Sequence, residues 1–99
     1  MNINIKAVSF KADLKLEEFI RDKATKLSLH YDGVIGVDTI LKLDAAQKVA
    51  NKIVEMKVLV PGNDLFSKKQ ANSFEEATDA AVDALRKQLQ KHKEKIRGN

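Results

Sequence analysis

The chain has 99 residues, of which 43% are apolar and 32% charged, and a net charge of +4. That length suits a single domain over residues 1–99 with one modest core, and the apolar fraction excludes an intrinsically disordered chain. With no cysteine, disulfides and cysteine-ligated zinc are excluded; no apolar run approaches the roughly 20 residues that cross a bilayer, so no membrane partner is expected.

The N-terminal Met1-Asn2-Ile3-Asn4-Ile5-Lys6 lacks the basic-then-apolar order of a secretory signal, which makes a cytoplasmic location the expectation. From Asn2 to Ser9 the residues alternate, with Ile3, Ile5 and Ala7 on one face and Asn4 and Lys6 on the other, and this predicts a first strand. Asp13 has the chemistry of a helix N-cap, and Glu17 and Glu18 suit the positive end of a helix dipole. Leu16, Phe19, Ile20, Ala24 and Leu27 then recur at helical spacing, and Gly33 is a natural stop, so the spacing predicts a helix over Leu14 to Tyr31.

Val37, Thr39, Leu41 and Leu43 alternate with Asp38, Ile40, Lys42 and Asp44 in a second strand. Lys52 to Val60 is a third, with Val54, Met56, Val58 and Val60 buried and Ile53, Glu55, Lys57 and Leu59 facing out. The turn residues Pro61-Gly62-Asn63-Asp64 separate it from a fourth strand over Leu65 to Ala71. Ser73-Phe74-Glu75-Glu76 has the form of a capping box, and behind it Phe74, Thr78, Ala81, Val82, Leu85, Leu89, His92 and Ile96 make one apolar stripe of a helix reaching about Lys95. The order β-α-β-β-β-α predicts an α+β fold: a four-stranded mixed sheet with two helices packed on one face, the first two strands parallel and the last three antiparallel.

Charge is concentrated at one end. Arg86, Lys87, Lys91, Lys93, Lys95 and Arg97 stand against Glu94, six cations to one acid, so this segment carries +5 and the remainder −1. Lys87, Lys91 and Lys95 follow each other by four and form one row; Arg86, Lys93 and Arg97 lie on the other flank of the apolar stripe. Two rows of cations suit a phosphate backbone. Cations also suit a helix C-terminus, but that effect fades within one turn and these extend over about three. Lys23, close to the centre of the first helix's stripe, either snorkels along the core edge or points into the seam between the helices. Lys68 and Lys69 fall on opposite faces of the fourth strand, where lysine guards an edge; if that strand borders the second helix, one of them extends the basic surface.

The remaining chemistry is sparse. His30 and His92 are isolated, with no metal-ligand spacing, and His92 reads as a packed residue. Ser73 has a capping role and no partners of a nucleophile; Gly33 and Gly36 make no phosphate loop. Phe66 is the main aromatic on the outer sheet face, too little for base stacking of the kind sheet-based RNA binders use. No catalytic apparatus and no cofactor are expected.

Asp83-Ala84-Leu85-Arg86-Lys87-Gln88-Leu89-Gln90-Lys91-His92-Lys93, Asp22-Lys23-Ala24-Thr25-Lys26-Leu27 and the Pro61-Gly62-Asn63 turn, in this order, resemble the ribosome hibernation promoting factors, also called ribosome-associated translation inhibitors. The resemblance extends over essentially the whole chain, and the end at Asn99 looks like the short form, without the C-terminal dimerisation domain of long members. It implies binding to the 30S subunit and its 16S rRNA between head and body, in the space of mRNA and of A- and P-site tRNA, with no reaction catalysed. It also implies hibernation under starvation or in stationary phase as inactive 70S or dimeric 100S ribosomes, with a second dimerisation-promoting factor as a further partner. By position it implies rRNA contacts from Lys23 and Lys26 on the first helix and from Lys87, Lys91 and Lys93 on the second, with Arg86 and Lys95 beside them. Ala84 stands where many members are basic, Arg86 where an acid is frequent and Glu75 where tyrosine is common, which blurs the contact map. The last three strands and final helix also resemble double-stranded RNA-binding domains, so a general duplex-RNA module is the alternative. A small acylphosphatase-like enzyme would need a phosphate loop with a positioned arginine, which the sequence does not offer.

Overall fold

The first strand, β1 (Asn2–Ala7), pairs in parallel with β2 (Gly36–Leu43), Ile3 opposite Val37 and Ile5 opposite Thr39. The computed structural model to which this ladder belongs describes residues 1–96; Arg97 lies outside the described residues. β1 ends where Ser9 takes a left-handed backbone, φ 67°, after one further ladder bond from the Val8 amide to the Leu41 carbonyl. β3 (Lys52–Val60) pairs antiparallel with β2 and with β4 (Asn63–Ala71), giving the order β1-β2-β3-β4.

The turn into β4 is shorter than the sequence suggests. Val60 pairs with Asn63, so only Pro61 and Gly62 form the turn, and Asn63 and Asp64 join the strand. Gly62 sits at φ 77°, a conformation open to glycine and costly for a β-carbon, while proline fixes the preceding φ.

Both helices cover one face of the sheet. In α1 (Leu14–Leu27) the Asp13 carboxylate accepts the Leu16 amide at 2.8 Å, the predicted cap, and Leu16, Ile20, Ala24 and Leu27 turn inward. The α-helix stops four residues before Tyr31, however. The Ser28 amide donates to the Lys26 and Thr25 carbonyls and its hydroxyl donates to Thr25 O at 2.7 Å, which tightens Ser28–His30 into a single 3-10 turn before the extended Tyr31. Gly33 is therefore not the helix stop. A β-carbon there would collide with the Tyr31 ring, so the glycine leaves room for that ring.

α2 (Phe74–Ile96) begins at the predicted box: Ser73 Oγ accepts the Glu76 amide at 3.1 Å and meets its carboxylate at 3.3 Å. α1 packs toward β1 and α2 runs across β3 and β4. The core between layers joins Ile20, Ala24 and Leu27 to Val37, Leu41, Val54, Met56 and Val58 and to Ala77, Ala81, Leu85 and Leu89. Phe10 stacks on Phe74 at 5.2 Å between ring centroids. Ala77 belongs to the α2 stripe, while Ile96, read as its last member, is 57% exposed. The overall dimensions are 46 × 23 × 18 Å. Ile53, placed on the outer face, is buried at a corner where its β4 neighbour Gln70 holds the loop after β2 through Asp44 and the Ala50 carbonyl, at 3.0 and 2.9 Å. Among the described residues no helix is long and apolar enough to cross a membrane.

Candidate nucleic-acid interface

The cations of α2 occupy the helix surface left over once Leu85 and Leu89 are turned into the core. Because the stripe advances by three and four residues, the row Lys87-Lys91-Lys95 lies on the solvent and β4 side, and Arg86 and Lys93 on the side of α1. Gln88, on the β4 side, donates from Nε2 to the Phe66 carbonyl at 2.8 Å, which anchors that flank. An open groove of about 550 Å³ is lined by His30, Arg86, Lys87, Gln90, Lys91 and Glu94, so three of the expected contact cations share one concavity with the end of the first helical segment. Lys91 and Lys95 also border a shallower depression with His92 and Leu65. Lys93 lies at the far end beside Leu29, Tyr31 and Ile96.

Lys23 fulfils both readings of its position. Its stem passes along the core edge with Nζ 5.3 Å from the Phe19 ring centroid, and its ammonium enters the seam between the helices, 3.2 Å from Asp79 of α2. Lys26 is more exposed and pairs with Asp22 one turn before it at 3.3 Å. On α2, Asp83 serves two cations: Arg86 donates to one carboxylate oxygen and Lys87 approaches the other at 3.4 Å. Hydrogen bonds from Arg86 and then Lys87 hold the Asp83 carboxyl below its ordinary value of 3.8. Among the described residues, Lys91, Lys93 and Lys95 take part in no ion pair.

The expected contact residues thus fall into two groups. Lys23, Arg86, Lys87 and Lys26 are each tethered to an aspartate; Lys91, Lys93 and Lys95 are open. The structure joins Arg86, Lys87 and Lys91 in one groove and brings Lys23 to the helix seam, while Lys26 stands on the outer side of α1 with its own acid. Sequence reasoning misses the pairing roles of Asp79 and Asp83; for Asp83 the i, i+3 and i, i+4 spacings to Arg86 and Lys87 carry the signal. β4 does border α2, and Lys69 shares the inward parity of Leu65 and Ser67, so it is Lys69 rather than Lys68 that stands at the helix edge.

His92 is half-buried, edge-on to Tyr31 with centroids 5.4 Å apart, as a packed residue would be. Among the described residues no cluster of histidine and carboxylate side chains could hold a metal ion. What the surface offers chemically is a set of donors for an extended polyanion.

The family model described as "Sigma 54 modulation protein / S30EA ribosomal protein" matches residues 3–97. The chain belongs to that family. It is 28% identical over 95 residues to a ribosome hibernation promoting factor of Pseudomonas putida, covering 96% of this chain and 89% of that protein. It is 33% identical over 99 residues to the factor of the same name from Acinetobacter guillouiae, covering 94% of this chain and 88% of the other. The fold is also that of a ribosomal subunit interface protein from Coxiella burnetii, with a TM-score of 0.83, 20% identity, and coverage of 94% of this chain and 98% of that one. A family match over nearly the whole chain favours the ribosome-associated family over a general duplex-RNA module.

Proposed function

We propose that the protein binds the 30S ribosomal subunit at the mRNA and tRNA channel through the helical layer, and inhibits translation by occupying that space. In this reading it acts in the cytoplasm and promotes ribosome hibernation under stress or in stationary phase. The observation that carries the reading is the placement of Arg86, Lys87 and Lys91 in one groove, flanked by Lys93 and Lys95, on a chain whose relatives are named ribosome hibernation promoting factors. Lysines and arginines along about three helical turns match the spacing of phosphates better than they match a small substrate. Lys23 adds a cation from α1 at the seam, and Lys26 adds one farther out.

Inhibition then needs no bond making. A wedge 46 Å long that is held by rRNA phosphates excludes other ligands by volume. Its partners are 16S rRNA within 30S particles and the 70S or 100S ribosomes formed from them, with a separate dimerisation-promoting factor as a further candidate.

Gradient sedimentation with purified ribosomes tests this. The protein is expected to travel with 30S and 70S particles and to reduce translation in a purified system at saturating concentration. The Lys87→Glu, Lys91→Glu, Lys93→Glu triple variant is expected to remain folded and stay at the top of the gradient. Co-sedimentation of that variant at the parental level would remove the α2 cations from the site, and unhindered translation would remove the occlusion mechanism.

A further inference from the structure

The division between tethered and open cations has a consequence for selectivity. Lys23, Arg86 and Lys87 are held by only two carboxylates, Asp79 and Asp83. These pairs contribute little to the fold: the Lys87 side chain is 70% exposed and Asp83 50%, and exposed pairs of this kind add little to stability. They do fix direction. An ammonium has three donors and a guanidinium five, so one bond to an aspartate leaves the others for a phosphate. Because Arg86 and Lys87 sit on the two oxygens of one carboxylate, their separation is set before any partner arrives. Asp79, reaching Lys23 across the seam, sets the position of an α1 cation relative to α2.

We propose that Asp79 and Asp83 are positioning residues that make the protein selective for folded ribosomal RNA over arbitrary polyanions, by holding Lys23, Arg86 and Lys87 aimed at phosphates of fixed spacing. This rests on the ribosome-binding reading above. Two opposed effects produce the selectivity. For an RNA whose phosphates match, part of the cost of ordering three long side chains is already met within the free protein, so the complex is tighter. For an RNA that does not match, the cations remain on their aspartates and the two carboxylates repel the backbone. Lys91, Lys93 and Lys95 supply the first, sequence-independent attraction, which salt weakens.

The test compares the full chain with Asp79→Asn, Asp83→Asn and the double variant, each titrated against purified 30S subunits and, separately, poly(U). Asparagine keeps the shape and removes the charge. For the double variant the expected result is about tenfold weaker binding to 30S, from the lost ordering of three side chains, and about threefold tighter binding to poly(U), from the added net charge. Asp83→Glu restores the charge and still reaches both cations, so poly(U) affinity returns to the parental value and 30S affinity rises well above that of Asp83→Asn. Either single variant decides the matter if the double one loses its thermal transition. Equal tightening on both RNAs would mean that only net charge matters and would overturn the proposal, as would an unchanged 30S affinity or an Asp83→Glu protein as weak on 30S as Asp83→Asn. Failure of the parental protein itself to bind 30S would refute the functional reading instead, so the two failures are told apart.

Discussion

Gln88 on α2 donates a 2.8 Å hydrogen bond to the backbone carbonyl of Phe66 on β4, so the basic helix is fastened directly to the edge of the sheet. An edge strand carries unpaired backbone groups, and this amide satisfies one of them while fixing which side of α2 faces solvent. Gln88→Ala should lower unfolding free energy by about 1 kcal/mol, the usual net worth of one such bond. Urea unfolding measures it through the midpoint at constant slope. A midpoint unchanged within error would show that the bond contributes nothing and that packing alone holds the helix against β4.

The core places different weights on two α2 residues of the same buried stripe. Leu85 is fully buried among aliphatics, and Leu85→Ala should destabilise by about 3 kcal/mol, a large part of the 5–15 kcal/mol typical of a domain. Thr78, also fully buried, presents a hydroxyl with no hydrogen-bond partner among the described residues. Thr78→Val keeps the shape and removes that uncompensated group, so it should stabilise by about 1 kcal/mol. Thermal unfolding of the two variants should therefore move in opposite directions. A loss of stability in Thr78→Val would mean that the hydroxyl is satisfied after all.

Alternation and helical spacing made most of the architecture legible, because each strand and helix buries a single face and the pattern of burial is written directly in residue order. The parallel pairing of β1 and β2 followed from the helix between them. What was not legible depended on side chains distant in sequence. Nothing local to Ile53 says that Gln70 will bring a loop over it. In the candidate site the cations were visible as a run, whereas the cross-helix pairing of Lys23 with Asp79 required the packing of α1 on α2.

In the proposed complex with ribosomal RNA, counter-ion release should make binding strongly salt-dependent. Each phosphate contact contributes about 0.7–0.9 to the slope of log affinity against log salt, so engagement of Lys23, Lys26, Arg86, Lys87, Lys91, Lys93 and Lys95 together corresponds to a slope of about −5 to −6. Binding measured between 50 and 200 mM monovalent salt at constant magnesium tests this on the order-of-magnitude scale of such slopes. Lys91→Gln should flatten the slope by about one unit. A slope near zero would indicate a complex held by shape and apolar contact, and would leave the basic helix unexplained.

Acid titration probes the Asp83 cluster directly. Hydrogen bonds from Arg86 and Lys87 hold the Asp83 carboxyl below its ordinary value of 3.8. A carboxyl whose pKa is lower in the folded state than in the unfolded chain contributes stability that is complete above the unfolded value and disappears as pH falls through the folded one. The contribution of Asp83 should therefore be constant from neutral pH down to about pH 5 and be lost only below 3.8. A carboxyl-carbon NMR titration should give Asp83 a midpoint below 3.8, and Arg86→Ala, by removing the leading hydrogen bond, should move that midpoint upward. Asp44 provides an independent comparison, since Gln70, the Ala46 amide and the Lys68 charge lower it, and Arg86→Ala should leave its midpoint in place. If Asp83 titrated at or above 3.8 in the parental protein, the shared clamp on Arg86 and Lys87 would not exist in solution.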